Sequence, residues 1–356
     1  MNASVLLLLL SIVVATGHAA PAGQQSLPSN ISSSSSQPIF TKNELHEHNH
    51  VWKVMNKACF NKWSGTLRVF RMDKATNSPI YNDEEELLNF RLWAKKTGKT
   101  NDTGTWTVWN LQRRGDEITI PLRRLPASSS KPSQLKIGFM PGCVLRIPDN
   151  FKQVPRAVME LGYWGNVRRT VVLEYQTRDK QKHMELKDVS LVMQKPVPWF
   201  KRMFFVGNTT VPRDIEILPR KAASNLEDVI KRNKGRKPLK IEKVHLQTMQ
   251  RVVTTKSDLT KEDKRGAAEV LESLLQRLSN NNECTARSSS SSYDVMLPND
   301  LLACFPKELL GKSSATKTFI FAHEWKHFGW QTLQALVIDY DGASGEAITA
   351  TMYSYK

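Results

Sequence analysis

Met159-Glu-Leu-Gly-Tyr-Trp-Gly-Asn-Val-Arg-Arg-Thr-Val-Val-Leu-Glu-Tyr175 is two alternating stretches on either side of a Gly165-Asn166 turn. Alternation of this kind with a short Gly/Asn turn predicts an antiparallel hairpin with one face in a core. The pattern then recurs. Thr318-Phe-Ile-Phe-Ala-His-Glu-Trp325 matches Ala157–Trp164, and Gln334-Ala-Leu-Val-Ile-Asp-Tyr340 matches Thr170–Tyr175, both ending in an acid followed by Tyr. Upstream, Met140–Pro148 resembles Leu297–Pro306, and downstream Met184–Lys195 parallels Gly345–Lys356. Four matched segments in the same order predict two related halves.

Working outward, Thr41-Lys42-Asn43-Glu44 has capping-box form and opens a helix to about Lys57. Strands are expected at Thr66–Arg71, Thr105–Leu111, Glu117–Leu122, Gln134–Phe139, Val144–Ile147, Ala157–Tyr163, Arg168–Gln176, Met184–Met193 and Met203–Val206. Lys240–Thr254 alternates as a strand, and Ser257–Ser279 carries a helical apolar stripe at Ala267, Val270, Leu271, Leu274, Leu275 and Leu278. Many short strands at close spacing predict a mainly β chain, an antiparallel sandwich or barrel with a few flanking helices. That helix stands where early strands of a second copy belong, so the second half is expected to be a reduced copy.

The remaining segments divide the 356 residues as follows. Residues 1–19, with an apolar run at Val5–Val14 ahead of Gly17 and Ala19, read as a signal peptide. Residues 20–40 are a disordered Ser-rich segment, 41–208 the first barrel, 209–239 a basic linker and 240–356 the second half. The leader predicts the secretory pathway, extracellular or lumenal, or, with its Ser-rich sequel, a plastid-directed bipartite leader. No later run is apolar enough to span a bilayer. Asn30, Asn101 and Asn208 head glycosylation triplets. Cys59, Cys143, Cys284 and Cys304 are open to two readings: bridges Cys59–Cys143 and Cys284–Cys304, one within each half, or free buried thiols. The net charge of +17 gathers at Lys231–Lys237, a solvated loop that leaves room for an acidic protein partner. No aromatic residues interleave these charges, so nucleic acid is not the expected ligand.

His323-Glu324-Trp325-Lys326-His327 spells H-E-x-x-H, the zinc hydrolase motif, with Glu346 available as a third ligand. That chemistry needs a helix, because only there do residues four apart converge on one ion. The flanking Thr318-Phe-Ile-Phe321 run is β-forming, and on a strand residues four apart lie ~13 Å from each other. His323, Glu324 and His327 are therefore expected to be a chance match, with the zinc hydrolase kept as an alternative. A second group, Glu44, His46, Glu47, His48 and His50, reads as a solvated helix start. No catalytic residue is assigned, no cofactor is required by the sequence, and the chain is read as a binding protein, not an enzyme.

Two segments, Met159–Tyr175 and Phe319–Tyr353, with Trp63-Ser-Gly65 at the opening-strand position, make the chain resemble a lipocalin-like (calycin-type) family of uncharacterised function from cyanobacteria and algae. The wider group includes phycobiliprotein chromophore lyases, which hold a bilin and pass it to a partner protein. The resemblance implies a lipocalin-like β-barrel with a cavity that binds an apolar or amphipathic small molecule, a tetrapyrrole or a lipid. It leaves a lyase or chaperone acting on a partner as the alternative. Trp164, Arg168, Arg169 and Tyr175 are the candidate cavity residues: aromatics stack, and arginine pairs with carboxylates. Alternation puts Arg169 and Tyr175 on one face and Arg168 on the other.

Overall fold

A computed structural model describes residues 40–72, 79–97, 103–110, 117–123, 134–164, 167–178, 183–197, 225–282, 291–298, 300–310, 315–327 and 330–356. The expected signal peptide, the Ser-rich segment, Met203–Val206, Asn30, Asn101, Asn208 and Cys284 lie outside the described residues. The chain is mainly β and antiparallel, barrel-like, with flanking helices. None of the described helices is long and apolar enough to cross a membrane.

Helix α1 (Lys42–Ala58) starts at the capping box, with the Thr41 side chain accepting from the Glu44 amide. Strands β1 (Lys62–Met72), β2 (Pro79–Thr97), β3 (Thr103–Asn110), β4 (Glu117–Arg123), β5 (Gln134–Phe139), β6 (Cys143–Pro148), β7 (Arg156–Trp164), β8 (Arg168–Arg178) and β9 (His183–Pro196) follow. They form a sheet in the order β4-β3-β2-β1-β9-β8-β7-β6-β5. The second half brings α2 (Leu226–Asn233), β10 (Pro238–His245), β11 (Gln250–Thr255), α3 (Lys261–Asn282), β12 (Ser292–Leu297), β13 (Leu301–Pro306), β14 (Glu308–Leu310), β15 (Lys317–His327), β16 (Trp330–Tyr340) and β17 (Ala347–Tyr355). Its sheet runs β11-β10-β17-β16-β15-β13-β12, while β14 crosses over to pair with β9 of the first sheet.

Strand by strand the two orders correspond, and α3 sits between β11 and β12, where the first sheet has β3 and β4. The single strand expected at Lys240–Thr254 is a hairpin, turned at Met249 with φ 52°. β2 was not foreseen, because Asn82-Asp-Glu-Glu-Glu86 shows no apolar alternation. Both copies carry a register shift between the acid and the tyrosine that close β8 and β16, at Glu174/Tyr175 and Asp339/Tyr340.

The sheets share one core. Inward residues of the first, such as Phe139, Leu161, Leu173 and Leu191, pack in the same cluster as Phe305, Phe321, Ile338 and Met352 of the second. The contacts are reciprocal at repeat-related positions. Tyr175 donates to the Pro306 carbonyl (2.7 Å), and its counterpart Tyr340 donates to the Pro148 carbonyl (2.9 Å). The ladders correct the repeat alignment in one place. Spelling matches Trp164 to Trp325, but Tyr163 pairs with Arg169 while His323 pairs with Gln334, so His323 corresponds to Tyr163 and Glu324 to Trp164. A one-residue slip would turn every inward side chain outward, and facing decides over spelling.

Candidate functional site

The first sheet has a second buried face, opposite the shared core. Trp63 on β1 and Trp164 on β7 meet edge to face with ring centroids 5.5 Å apart. Three ladder steps, β1–β9–β8–β7, separate these strands, or ~14 Å in a flat sheet at ~4.8 Å per step. Only a sheet curled towards this side brings the rings together, so this face is concave.

Helix α1 lies across it. Val51, Trp52, Met55 and Cys59 pack with Trp63, Trp164, Val158, Val172 and Val192. Trp63 Nε1 donates to the Cys59 carbonyl (3.0 Å). The helix comes so close to β5 that a Cβ on Gly138 would stand 3.0 Å from the Val51 Cα. Glycine is the residue that permits this approach.

Between these apolar groups the concave face is polar. Arg146 on β6 pairs with Glu160 on β7 at 2.7 Å, both buried. Burial, then the Arg146 charge, pushes the Lys136 ammonium down to about 8, against the pull of Glu160. Arg168 on β8 is 2% exposed, lies 4.5 Å over the Trp164 ring and donates to Gln194 Oε1. Burial brings its guanidinium down to about 10, with Glu160 opposing. Buried atoms on this face without a hydrogen-bond partner include Arg168 Nε, Thr170 Oγ1 and Ser190 Oγ. Buried polar groups are nearly always partnered, and orphans mark places where water, an ion or a ligand belongs.

The second half supplies an internal control. Ladder-equivalent positions replace Arg146 by Cys304, Glu160 by Ile320, Arg168 by Leu333, Thr170 by Ala335 and Gln194 by Tyr355. Ser190 alone keeps a hydroxyl, as Thr351. There α3 fills the face with Ala267, Leu271, Leu274 and Leu278. The same sheet is thus built with an apolar face, so its architecture does not require the polar set of the first half.

Of the four residues singled out in the sequence, the concave face brings together Trp164 and Arg168. The other two point into the contact between the sheets: Arg169 donates to the Glu324 carbonyl (3.3 Å), and Tyr175 is spent on Pro306. Sequence reading missed Trp63, Arg146, Glu160, Thr170, Ser190 and Gln194. Their signal is the polar residue alternating with core residues, as in Leu145-Arg-Ile147 and Val189-Ser-Leu-Val-Met-Gln194.

Other expectations resolve differently. His323–His327 lies on strand β15, so the helical spacing that a zinc motif needs is absent. Among the described residues no group of three His, Cys, Asp or Glu is placed to share an ion. Cys59 and Cys143 are free buried thiols and form no bridge. They belong to the two different faces of the sheet, Cys59 beside α1 and Cys143 in the shared core. Cys304 is also free. Glu47 and His50 are not a solvated helix start but part of a charged network described below. Within the basic stretch Lys231, Arg232, Lys234 and Lys237 are exposed, but Arg232 stands in helix α2 and not in a loop, and Arg232 and Arg236 are tied to Glu324 at 3.1 and 2.6 Å.

Two solved structures are similar to this chain. One is a protein of unknown function from the DUF3598 family of Nostoc punctiforme, 12% identical, covering 85% of this chain and 97% of its own, with a TM-score of 0.49. The other is an S-type phycobiliprotein lyase from Guillardia theta, 11% identical, covering 44% of this chain and 98% of its own, with a TM-score of 0.25. No protein-family model matches the chain, and no curated protein does.

Proposed function

We propose that the concave face of the first sheet binds an amphipathic small molecule, of the tetrapyrrole or lipid kind, with its acceptor-rich or anionic head at Arg168, Thr170 and Ser190. The observation that carries this reading is the internal contrast. Arg168, Glu160 and Thr170 of one copy are replaced by leucine, isoleucine and alanine at the equivalent positions of the other. A buried guanidinium Nε–H and two buried hydroxyls without partners are unfavourable unless something completes them. Arginine stacked on tryptophan offers a hydrogen-bonding fork together with an aromatic platform. Trp63 and Trp164 would take the apolar body of the ligand, and the net charge of +17 favours an anionic one.

The test is titration of the purified full chain with biliverdin, followed by visible absorbance, and with a fluorescent fatty acid, followed by emission. The expected result is saturable one-to-one binding of one of the two, weakened about 10–100-fold in Arg168→Leu, the loss of a charge-assisted hydrogen bond. Binding unchanged in Arg168→Leu, or none of either probe, overturns the reading.

A further inference from the structure

A second polar site lies outside the concave face, at the contact between the two sheets. Tyr163 and Arg169 leave β7 and β8 from directly opposed positions on the shared-core side. The His323 ring lies against the Tyr163 ring, with centroids 3.6 Å apart. Arg169 reaches across to the carbonyl of Glu324, the next residue after His323. Three groups from both halves therefore meet in one place. Tyr163 is 2% exposed and His323 1%.

Each of the three keeps a buried polar atom without a hydrogen-bond partner: Tyr163 Oη, Arg169 Nε and His323 Nδ1. Nearby carboxylates do not complete them. The Glu324 side chain is taken by Arg232 and Arg236, and the Asp300 side chain by Arg232. Among the described residues three arginines thus face two acids around Glu324, which leaves one positive charge over. Burial and the Arg169 charge hold the His323 imidazole well below its ordinary range, so it is neutral and keeps a single N–H. The unused capacity is a guanidinium N–H, a phenol O–H and an imidazole nitrogen beside an uncompensated cation. That set favours a negatively charged oxygen. It is not a feature the repeat demands, because Arg169 has Gln334 as its counterpart.

We propose that Tyr163, Arg169 and His323 form a buried binding site for a small oxyanion, of the carboxylate or phosphate class, at the contact between the two sheets. Its occupant bridges the two halves and is separate from any ligand of the concave face.

The probes are acetate and inorganic phosphate, added to the full chain against chloride at equal ionic strength. Binding is read by equilibrium dialysis of labelled anion and by the shift in Tm. One saturable equivalent is expected, weakened about tenfold or more in Tyr163→Phe, which keeps the ring against His323 and removes only the hydroxyl. Arg169→Gln, which introduces the residue of the other copy, is expected to abolish it. Arg168→Leu is expected to leave it unchanged, which separates this site from the concave one. The proposal fails if neither anion binds saturably, or if Tyr163→Phe binds as the parent does. It fails equally if a crystal grown in acetate shows water alone against the three side chains.

Discussion

At the scale of single residues, the strongest expectations come from side chains whose counterparts in the other copy differ. Arg168→Leu installs the residue found at Leu333, in an environment already lined by Val172 and Val192. Gln194, fully buried and bonded to Arg168, is changed with it to Tyr, the residue opposite Leu333. Replacing a whole desolvated polar pair with fitting, less polar residues is often neutral or stabilising, whereas removing one partner is not. The double variant is therefore expected to keep or raise its Tm while losing ligand, a combination that damage to the fold would not produce. Tyr175→Phe and Tyr340→Phe each remove a hydroxyl donated to a carbonyl across the sheets. Each should cost about 1 kcal/mol or somewhat more, because the carbonyl left behind is buried. Chemical denaturation of the two variants checks this. The thiols give a third expectation. Burial pushes Cys59 and Cys143 well above the ordinary range, and Cys304 up to about 12. The thiolate is the reactive form, so peptide mapping after iodoacetamide at pH 8 should find these three unmodified in the native chain and modified after unfolding.

Among the elements, helix α1 carries the most consequence, because it spans both halves. Its C-terminal part covers the concave face, and its N-terminal part is held by the second sheet. Arg251 of β11 donates to Glu47 (3.0 Å from Nε), to the Gly138 carbonyl (2.8 Å) and to Glu242. Asn43 donates to the Thr248 carbonyl (3.1 Å), and His50 Nε2 lies 3.7 Å from Glu242. Arg251→Met would leave Glu47 and Glu242, both almost fully buried, short of their main cation. Removing one partner of such a network costs about 3–5 kcal/mol. Faster hydrogen exchange of α1 amides than in the parent is the matching readout. The same helix gives a pH dependence. Burial, then Arg251, lowers His50 to about 4, while the unfolded chain titrates near 6.5. Between those values the unfolded state binds the proton and the folded state does not, so stability falls as pH drops through that window. A stability–pH profile should flatten there in His50→Gln; an unchanged slope refutes the assignment.

For the whole molecule, the shared core predicts joint unfolding. Phe319 and Tyr340 pack against Tyr175 and Phe151 across the sheets, and both sheets contribute to one apolar cluster. Calorimetry of the full chain should give one transition, with calorimetric and van't Hoff enthalpies in agreement. Two separate transitions would show that the halves hold their own cores.

The sequence alone determined the class of the fold and its repeat, because alternation and turn chemistry are local and survive translation into strands. Thr41–Glu44 capping and the paired Glu174-Tyr175 and Asp339-Tyr340 segments were legible in this way. It also separated Arg168 from Arg169, since the pleat makes neighbours face apart. Only the tertiary structure decided which face each of them met. The two sheets share one face, and that contact consumed Tyr175 and buried Arg169 with His323. The opposite face was left for Trp63, Trp164, Arg146 and Arg168, which come from strands that no local pattern assigns to one pocket. The resemblance to a barrel led to one cavity rim for the four candidates, and alternation already set Arg168 apart from Arg169 and Tyr175. Packing split them two and two, because a sheet has two sides and both are buried here.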